Sequence, residues 1–176
     1  MKVKGIISYP HLFTPRAVQQ GDEPKYSVNV LIRKDDPQVA QVQQAVETQK
    51  ANGFPSGFPV GAKVCLIDLA AMPTPTGPVP HSDSRLHNFY EIRTSTKAEN
   101  KPAVVDMSLQ PVMDPSTAYP GSICWVEFNL FTYNNPTSKG VAGGLNGVLV
   151  TGEEGELGRL DNRPDAQGMF GDVANG

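Results

Sequence analysis

The sequence predicts one mainly β domain, all-β or α+β, whose five or more twisted strands close into a small barrel or fold into a sandwich. Three observations predict it. Short runs of alternating or wholly apolar residues recur along the chain. Turn formers, 17 glycines and 16 prolines among 176 residues, break these runs apart. Only one segment carries its apolar residues at helical spacing.

Residues 2–9 read as a first strand, stopped by Pro10. Residues 25–34 alternate: Tyr26, Val28, Val30 and Ile32 share one face, while Ser27, Asn29, Leu31 and Arg33 share the other. Asp36 suits a helix N-cap and Pro37 the first helical position. Val39, Val42 and Val46 follow as one apolar stripe, so this helix packs on the sheet and ends near Asn52-Gly53. A Phe/Pro/Gly connector spans 54–61, and 63–69 look like a buried strand. Residues 70–87 are irregular, and loops of that length are usually functional or disordered. Strands follow at 88–97 and 103–106, then Asp-Pro and Pro-Gly turns within 111–121. A long strand at 122–133 turns through Asn134-Asn135-Pro136 into a glycine-rich strand at 140–150. From 152 onward periodicity ends. The expected organisation is a body over 1–151 and a flexible acidic tail over 152–176.

Composition narrows the classes. A hydrophobic content of 39% with 19% charged residues fits neither a membrane protein nor a wholly disordered chain. No apolar run approaches the roughly 20 residues that span a bilayer, and no signal-peptide pattern opens the chain, so a cytoplasmic protein without a membrane partner is expected. Cys65 and Cys124 sit in apolar strands and read as core residues rather than a disulfide or a metal pair. The net charge of −3 is unevenly spread: residues 152–176 hold six acids and two bases, leaving 13 bases and 12 acids for the body. Such a body binds nucleic acid only if its bases cluster on one face.

None of the common catalytic or cofactor motifs is present, so the expectation is a non-enzyme without a cofactor. His81, Asp83 and His87 crowd one loop, but nothing nearby offers a clear fourth zinc ligand. A metal-dependent nuclease built on them is a minor reading.

The strand at 122–133 is the most informative stretch. Cys124, Val126, Phe128 and Leu130 make an apolar face. Trp125, Glu127, Asn129, Phe131 and Tyr133 make the other, which mixes three rings with polar groups. Rings among polar groups suit stacking of unpaired bases, and equally a face covered by a loop or another chain. Binding single strands also needs cations for phosphates. Trp125, Phe131, Tyr133 and Tyr90 are therefore the candidate stacking residues. Lys25, Arg33, Lys34, Arg93, Lys97 and Lys101 are the candidate phosphate contacts. Tyr9, His11 and Phe13 crowd the exit of the first strand, and Phe89 and Tyr90 point to opposite faces.

Several blocks, in order, resemble a known family. They are Ser8-Tyr-Pro-His-Leu-Phe13, residues 25–34, Lys101-Pro-Ala-Val-Val-Asp106, Asp114-Pro115, Phe131-Thr-Tyr-Asn-Asn135 and Lys139-Gly-Val-Ala-Gly-Gly-Leu-Asn146. Over about residues 5–150 the chain resembles the small single-stranded DNA-binding proteins of tailed bacteriophages. The resemblance implies an OB-fold, a five-stranded Greek-key barrel, with one helix. It implies sequence-tolerant coating of single-stranded DNA in phage replication, recombination and repair, in the cytoplasm of the infected host. It also implies an acidic C-terminal tail that competes with DNA and recruits replication proteins. The acids here are dispersed, and Phe170 is followed by six residues where related tails often end on an aromatic residue. The rival reading is a β-rich phage structural or interaction module. A homodimer is compatible with either.

Overall fold

The computed structural model describes residues 1–17, 19–161 and 172–173. Eight strands and one helix follow in the order β1 (Lys2–Arg16), β2 (Lys25–Arg33), α1 (Gln38–Gly53), β3 (Lys63–Val64), β4 (Leu66–Asp68), β5 (Phe89–Lys97), β6 (Ala103–Val105), β7 (Ser122–Asn134) and β8 (Lys139–Glu154). Five of them close into a barrel, with β1 beside β2, β2 beside β5, β5 beside β8, β8 beside β7 and β7 beside β1. Four of these contacts are antiparallel. The seam between β5 and β8 is parallel, through Thr94 opposite Gly143 and Ser95 opposite Gly144. This is the OB-type barrel with a single α-helix that the sequence reading expected.

The seam depends on Gly143. A Cβ there would lie 2.7 Å from the Arg93 carbonyl oxygen, so only glycine lets the two backbones approach. Where β5 and β8 part, Cys65 bridges them: its N–H donates to Val141 O (3.0 Å), and its carbonyl accepts from Arg93 N (2.9 Å). That double role splits the expected 63–69 strand. β3 pairs with β8 and β4 with β5.

The first strand is also longer than expected. It passes Pro10 and Pro15 and ends at Arg16. Between Ser8 and His11 it uses three steps where β2 uses two, and between His11 and Arg16 five where β2 uses two. Proline is tolerated in such bulged stretches because the ladder does not need its missing N–H.

The barrel interior holds one apolar cluster, including Val3, Ile7, Val30, Ile92, Val126 and Phe128. Val39, Val42 and Val46 of α1 join it from below, as the helical stripe requires. Asp36 accepts a hydrogen bond from Gln38 N–H (2.9 Å), satisfying one of the free donors at the helix start. Tyr26, placed in phase with the core valines, is buried. Cys65 and Cys124 are free and buried, and burial pushes both thiols up to about 11.

A second cluster lies outside the barrel wall, where Ile6, Leu31 and Phe89 meet Ile67, Leu69 and Leu86. This explains why Leu31, on the polar phase of β2, is only 1% exposed. The 70–87 segment covers the cluster through a Met72–Val79 bridge and a short turn at Ser84–Leu86. The C-terminal stretch covers it from the other side. β8 runs to Glu154, and Leu157 and Leu160 pack on the same cluster. Gly155 N–H donates to Gly121 O (2.8 Å) and Leu160 N–H to Pro120 O (2.9 Å). Packed structure therefore continues past residue 151, where the sequence set the start of the tail, through Leu160. The rest of the expected tail, 162–171 and 174–176, lies outside the described residues.

Candidate nucleic-acid interface

Closure of the barrel carries one outer face across β1, β2, β5, β8 and β7. Its register sets Arg16 opposite Lys25, and Lys25 opposite Lys97. Three cations therefore lie side by side across three strands, all exposed, and none is within ion-pair distance of a carboxylate among the described residues. Like charges directly opposite each other on neighbouring strands destabilise a sheet. The next rungs are polar: His11 opposite Ser27 opposite Ser95, then Asn29 opposite Arg93. Arg93 is exposed, and its Nε is held 2.8 Å from Glu91, which is itself buried. His11 is bonded to Arg16 (3.3 Å), and burial, with the Arg16 charge, lowers its pKa.

Past the seam, Ser95 meets Gly144, and Gly144 meets Asn129 of β7. Phe131 lies beside them, 46% exposed. A Cβ on Gly144 would sit 3.4 Å from the Phe131 ring edge, so glycine leaves this ring uncovered by a side chain from its neighbour. Tyr133 follows, half-buried against Gly140, and burial raises the pKa of its hydroxyl. Lys63, exposed, stands on the same face through its pairing with Gly140, whereas Lys139, opposite Asn134, falls on the other phase of β8.

The structure thus brings together Lys25, Arg93, Lys97, Phe131 and Tyr133 of the sequence candidates. It sets the others apart. Arg33 lies at the far end of β2 and is engaged by two carboxylates, Asp35 (2.9 Å) and Glu156 (3.1 Å). Both hydrogen bonds hold its pKa above the usual value. Lys34 is bound to Asp68 (2.6 Å) and lies 5.6 Å from the Tyr90 ring. Tyr90 points inward, packs on the barrel cluster and meets Gln43 of α1 (3.5 Å). Phe89, on the opposite face, is buried in the outer cluster. Arg33 fastens the C-terminal stretch, and Lys34 and Tyr90 close the end of the barrel by α1. Trp125 sits near the start of β7, beside an apolar groove of about 520 Å³ that also includes Lys2, Ala103, Val105 and Leu149. Lys101 is exposed in the turn after β5.

Arg16 and Lys63 join this face without a local sequence signal: a strand that stops at Pro10 excludes Arg16, and Lys63 becomes a neighbour of Tyr133 only through non-local pairing. The loop cluster is consumed internally: His81 Nδ1 accepts from Asp83 N–H (2.9 Å), His87 Nε2 lies 2.7 Å from His81 O, and Asp83 binds Arg85 (2.7 Å). Among the described residues no group of three metal-ligating side chains occurs.

A closed barrel of this connectivity, with cations, hydroxyls and rings on one continuous outer face, has the build of an OB-fold nucleic-acid-binding protein. Residues 2–175 match the family of the Enterobacter phage Enc34 single-stranded DNA-binding protein, and the chain belongs to that family. Members of this class are DNA-binding proteins, not enzymes. Among solved structures, the chain is similar to the Enc34 single-stranded DNA-binding protein: 21% identity over 96% of this chain and 88% of that one, TM-score 0.69. The same protein in complex with single-stranded DNA gives 23% identity, 93% and 87% coverage and a TM-score of 0.66. The single-stranded DNA-binding protein gp2.5 of bacteriophage T7 is more distant, at 15% identity, 98% and 94% coverage and a TM-score of 0.57. No curated protein sequence matches this chain.

Proposed function

We propose that this protein binds single-stranded DNA without strong sequence preference, along the face running from Arg16 to Tyr133. The observation that carries the reading is the row Arg16–Lys25–Lys97. Facing like charges cost folding energy, no carboxylate among the described residues is within ion-pair distance of them, and a polyanion supplies counter-charge. Arg93 and Lys63 extend the basic field. Phe131 and Tyr133 offer rings to bases, and Ser27, Ser95 and Asn129 offer polar groups between. Membership of a single-stranded DNA-binding family supports the same reading.

Coating of single strands during phage replication, recombination and repair, in the cytoplasm of the infected host, follows as the finer proposal. No helix among the described residues is long and apolar enough to cross a membrane. Recruitment of replication proteins would fall to the residues past Asp161. Competition with DNA by an acidic tail finds less support. Four of the six acids expected there, Glu153, Glu154, Glu156 and Asp161, belong to the described body. Glu154 accepts from the Tyr119 hydroxyl, Glu156 holds Arg33, and Asp161 holds Arg159. Beyond Asp161 the sequence holds Asp165 and Asp172 against Arg163, a balance of only −1.

The test is titration of a labelled single-stranded oligonucleotide at two salt concentrations. Binding that weakens steeply with salt is expected, and no binding at low salt would sink the proposal. A second reading, an interaction module, is favoured by the Trp125 groove and by the exposed Met107 and Leu109 just after β6. Phe131→Ala/Tyr133→Ala separates the two: lost DNA affinity supports the first, and a changed assembly state with DNA affinity intact supports the second.

A further inference from the structure

The bulge in β1 builds a feature that the interface has not used. Tyr9 stands at its apex with φ 47°, a left-handed conformation that a bulky side chain rarely adopts. Its ring is 63% exposed. A side chain kept in a disfavoured backbone state, yet left in solvent, does little for folding. It faces a cleft of about 880 Å³, within the ~300–1,000 Å³ range of ligand sites. Ser8 and Glu91 lie at the base of this cleft, the loop around Arg85 forms one wall, and Tyr119 with Arg159 forms the other.

The charges of the cleft are already matched. Arg85 holds Asp83 (2.7 Å), Arg159 holds Asp161 (2.9 Å) and stacks 4.2 Å over the Tyr119 ring, and Glu91 holds Arg93. Matched walls suit the uncharged part of a nucleotide better than its phosphate. The base of the cleft also runs directly into the cationic face: Glu91 through its bond to Arg93, Ser8 opposite Asn29, and His11 opposite Ser27. A strand whose phosphates follow Arg93 and Lys25 has the cleft beside it.

The geometry points to this cleft as a pocket for unpaired bases of single-stranded DNA, with the Tyr9 ring as its stacking platform. The inference rests on the proposed DNA-binding function and adds a site to it. It distinguishes the two ends of the interface: bases stack on Phe131 and Tyr133 at one end and enter the Tyr9 cleft at the other.

The test uses the full chain and a labelled oligothymidylate, with Tyr9→Ala, Tyr9→Phe and Tyr9→Gly, and thermal unfolding alongside. Tyr9→Ala should weaken binding about 5- to 150-fold, the range expected for loss of one aromatic platform. Tyr9→Phe, which keeps the ring, should bind within about twofold of the parent protein by the same stacking argument. Tyr9→Gly relieves the left-handed backbone, so it should unfold at a higher temperature and still bind weakly. A more stable protein that binds less well cannot be explained by a structural role for Tyr9. If the parent protein binds and Tyr9→Ala or Tyr9→Gly binds equally well, the pocket is overturned while the DNA-binding reading stands. If the parent protein does not bind, both fall.

Discussion

Replacing both Lys25 and Lys97 by Gln probes the cationic row at its centre. The two residues face each other across β2 and β5 with Arg16 alongside, so the change removes two of three adjacent positive charges. Each phosphate neutralised on a single strand contributes about 0.7 to the slope of log K against log salt. If each lysine meets one phosphate, the slope should shallow by about 1.4, and the loss of affinity between 50 and 200 mM salt should shrink by about sevenfold. The folded state should not suffer, because removing like charges from facing positions is worth about 0.2–1 kcal/mol in the stabilising direction. Fluorescence anisotropy over a salt series gives the slope, and thermal unfolding gives the stability. Arg33→Gln is the control, since Arg33 is occupied by Asp35 and Glu156. It should lower the melting temperature and leave the slope unchanged. An unchanged slope in the double variant, or a shallower one in Arg33→Gln, would refute the assignment of the interface.

Three further outcomes follow from the same geometry. Gly143→Ala forces a Cβ to within 2.7 Å of the Arg93 carbonyl, so it should destabilise by about 1–3 kcal/mol on the scale of overpacked sites and open the β5–β8 seam, read by denaturant unfolding. Truncation after Asp161 should leave DNA affinity within about twofold, because the charge removed is only −1, whereas truncation after Thr151 removes Leu157, Leu160 and the Glu156–Arg33 bond and should lower the melting temperature markedly. Hydrogen bonds from Arg33 to Asp35 and from Arg85 to Asp83 hold both carboxyls below the ordinary range, so their stabilising effect is complete above about pH 4 and is lost as pH falls below it. Acid unfolding of Asp35→Asn should accordingly show a shallower pH dependence than the parent protein.

Much of this fold could be read from the sequence because its signals are local. The alternation of β2, the valine stripe of α1 and the two faces of β7 each depend on residues within one element, and each is found as expected. What escaped depended on partners far along the chain. Pro10 is a stop signal for an isolated strand, but β1 bulges there and continues, so Arg16 joins the row. Arg33 sits on the polar phase of β2 like any phosphate contact, and only the return of the chain at Glu156 shows that it is occupied. Tyr90 looked available because alternation cannot say which face of a closed barrel is inside. The rings of Phe131 and Tyr133 were legible because β7 carries polar residues between them, whereas their alignment with Lys25 and Lys97 arises only when β5 meets β8.

The charge of the chain illustrates the same point. A net charge of −3 opposes a polyanionic partner if the charges are averaged over the surface. They are not averaged. Three of the acids near the end of the body are engaged: Glu156 on Arg33, Asp161 on Arg159, and Glu154 on the Tyr119 hydroxyl. Asp68 and Asp83 are likewise engaged, by Lys34 and Arg85. Lys25, Lys97 and Arg16 have no such partner among the described residues. Pairing weakens the field of these acids at short range, and screening at physiological salt attenuates the rest over about 8 Å. A strand of DNA lying on β2 and β5, as proposed, would meet these cations directly, with Asp22, Glu23 and Glu99 flanking them in sequence. Glu154, Glu156 and Asp161 fasten the end of the chain to the barrel that presents those cations, which fits a scaffold role for them better than competition with DNA.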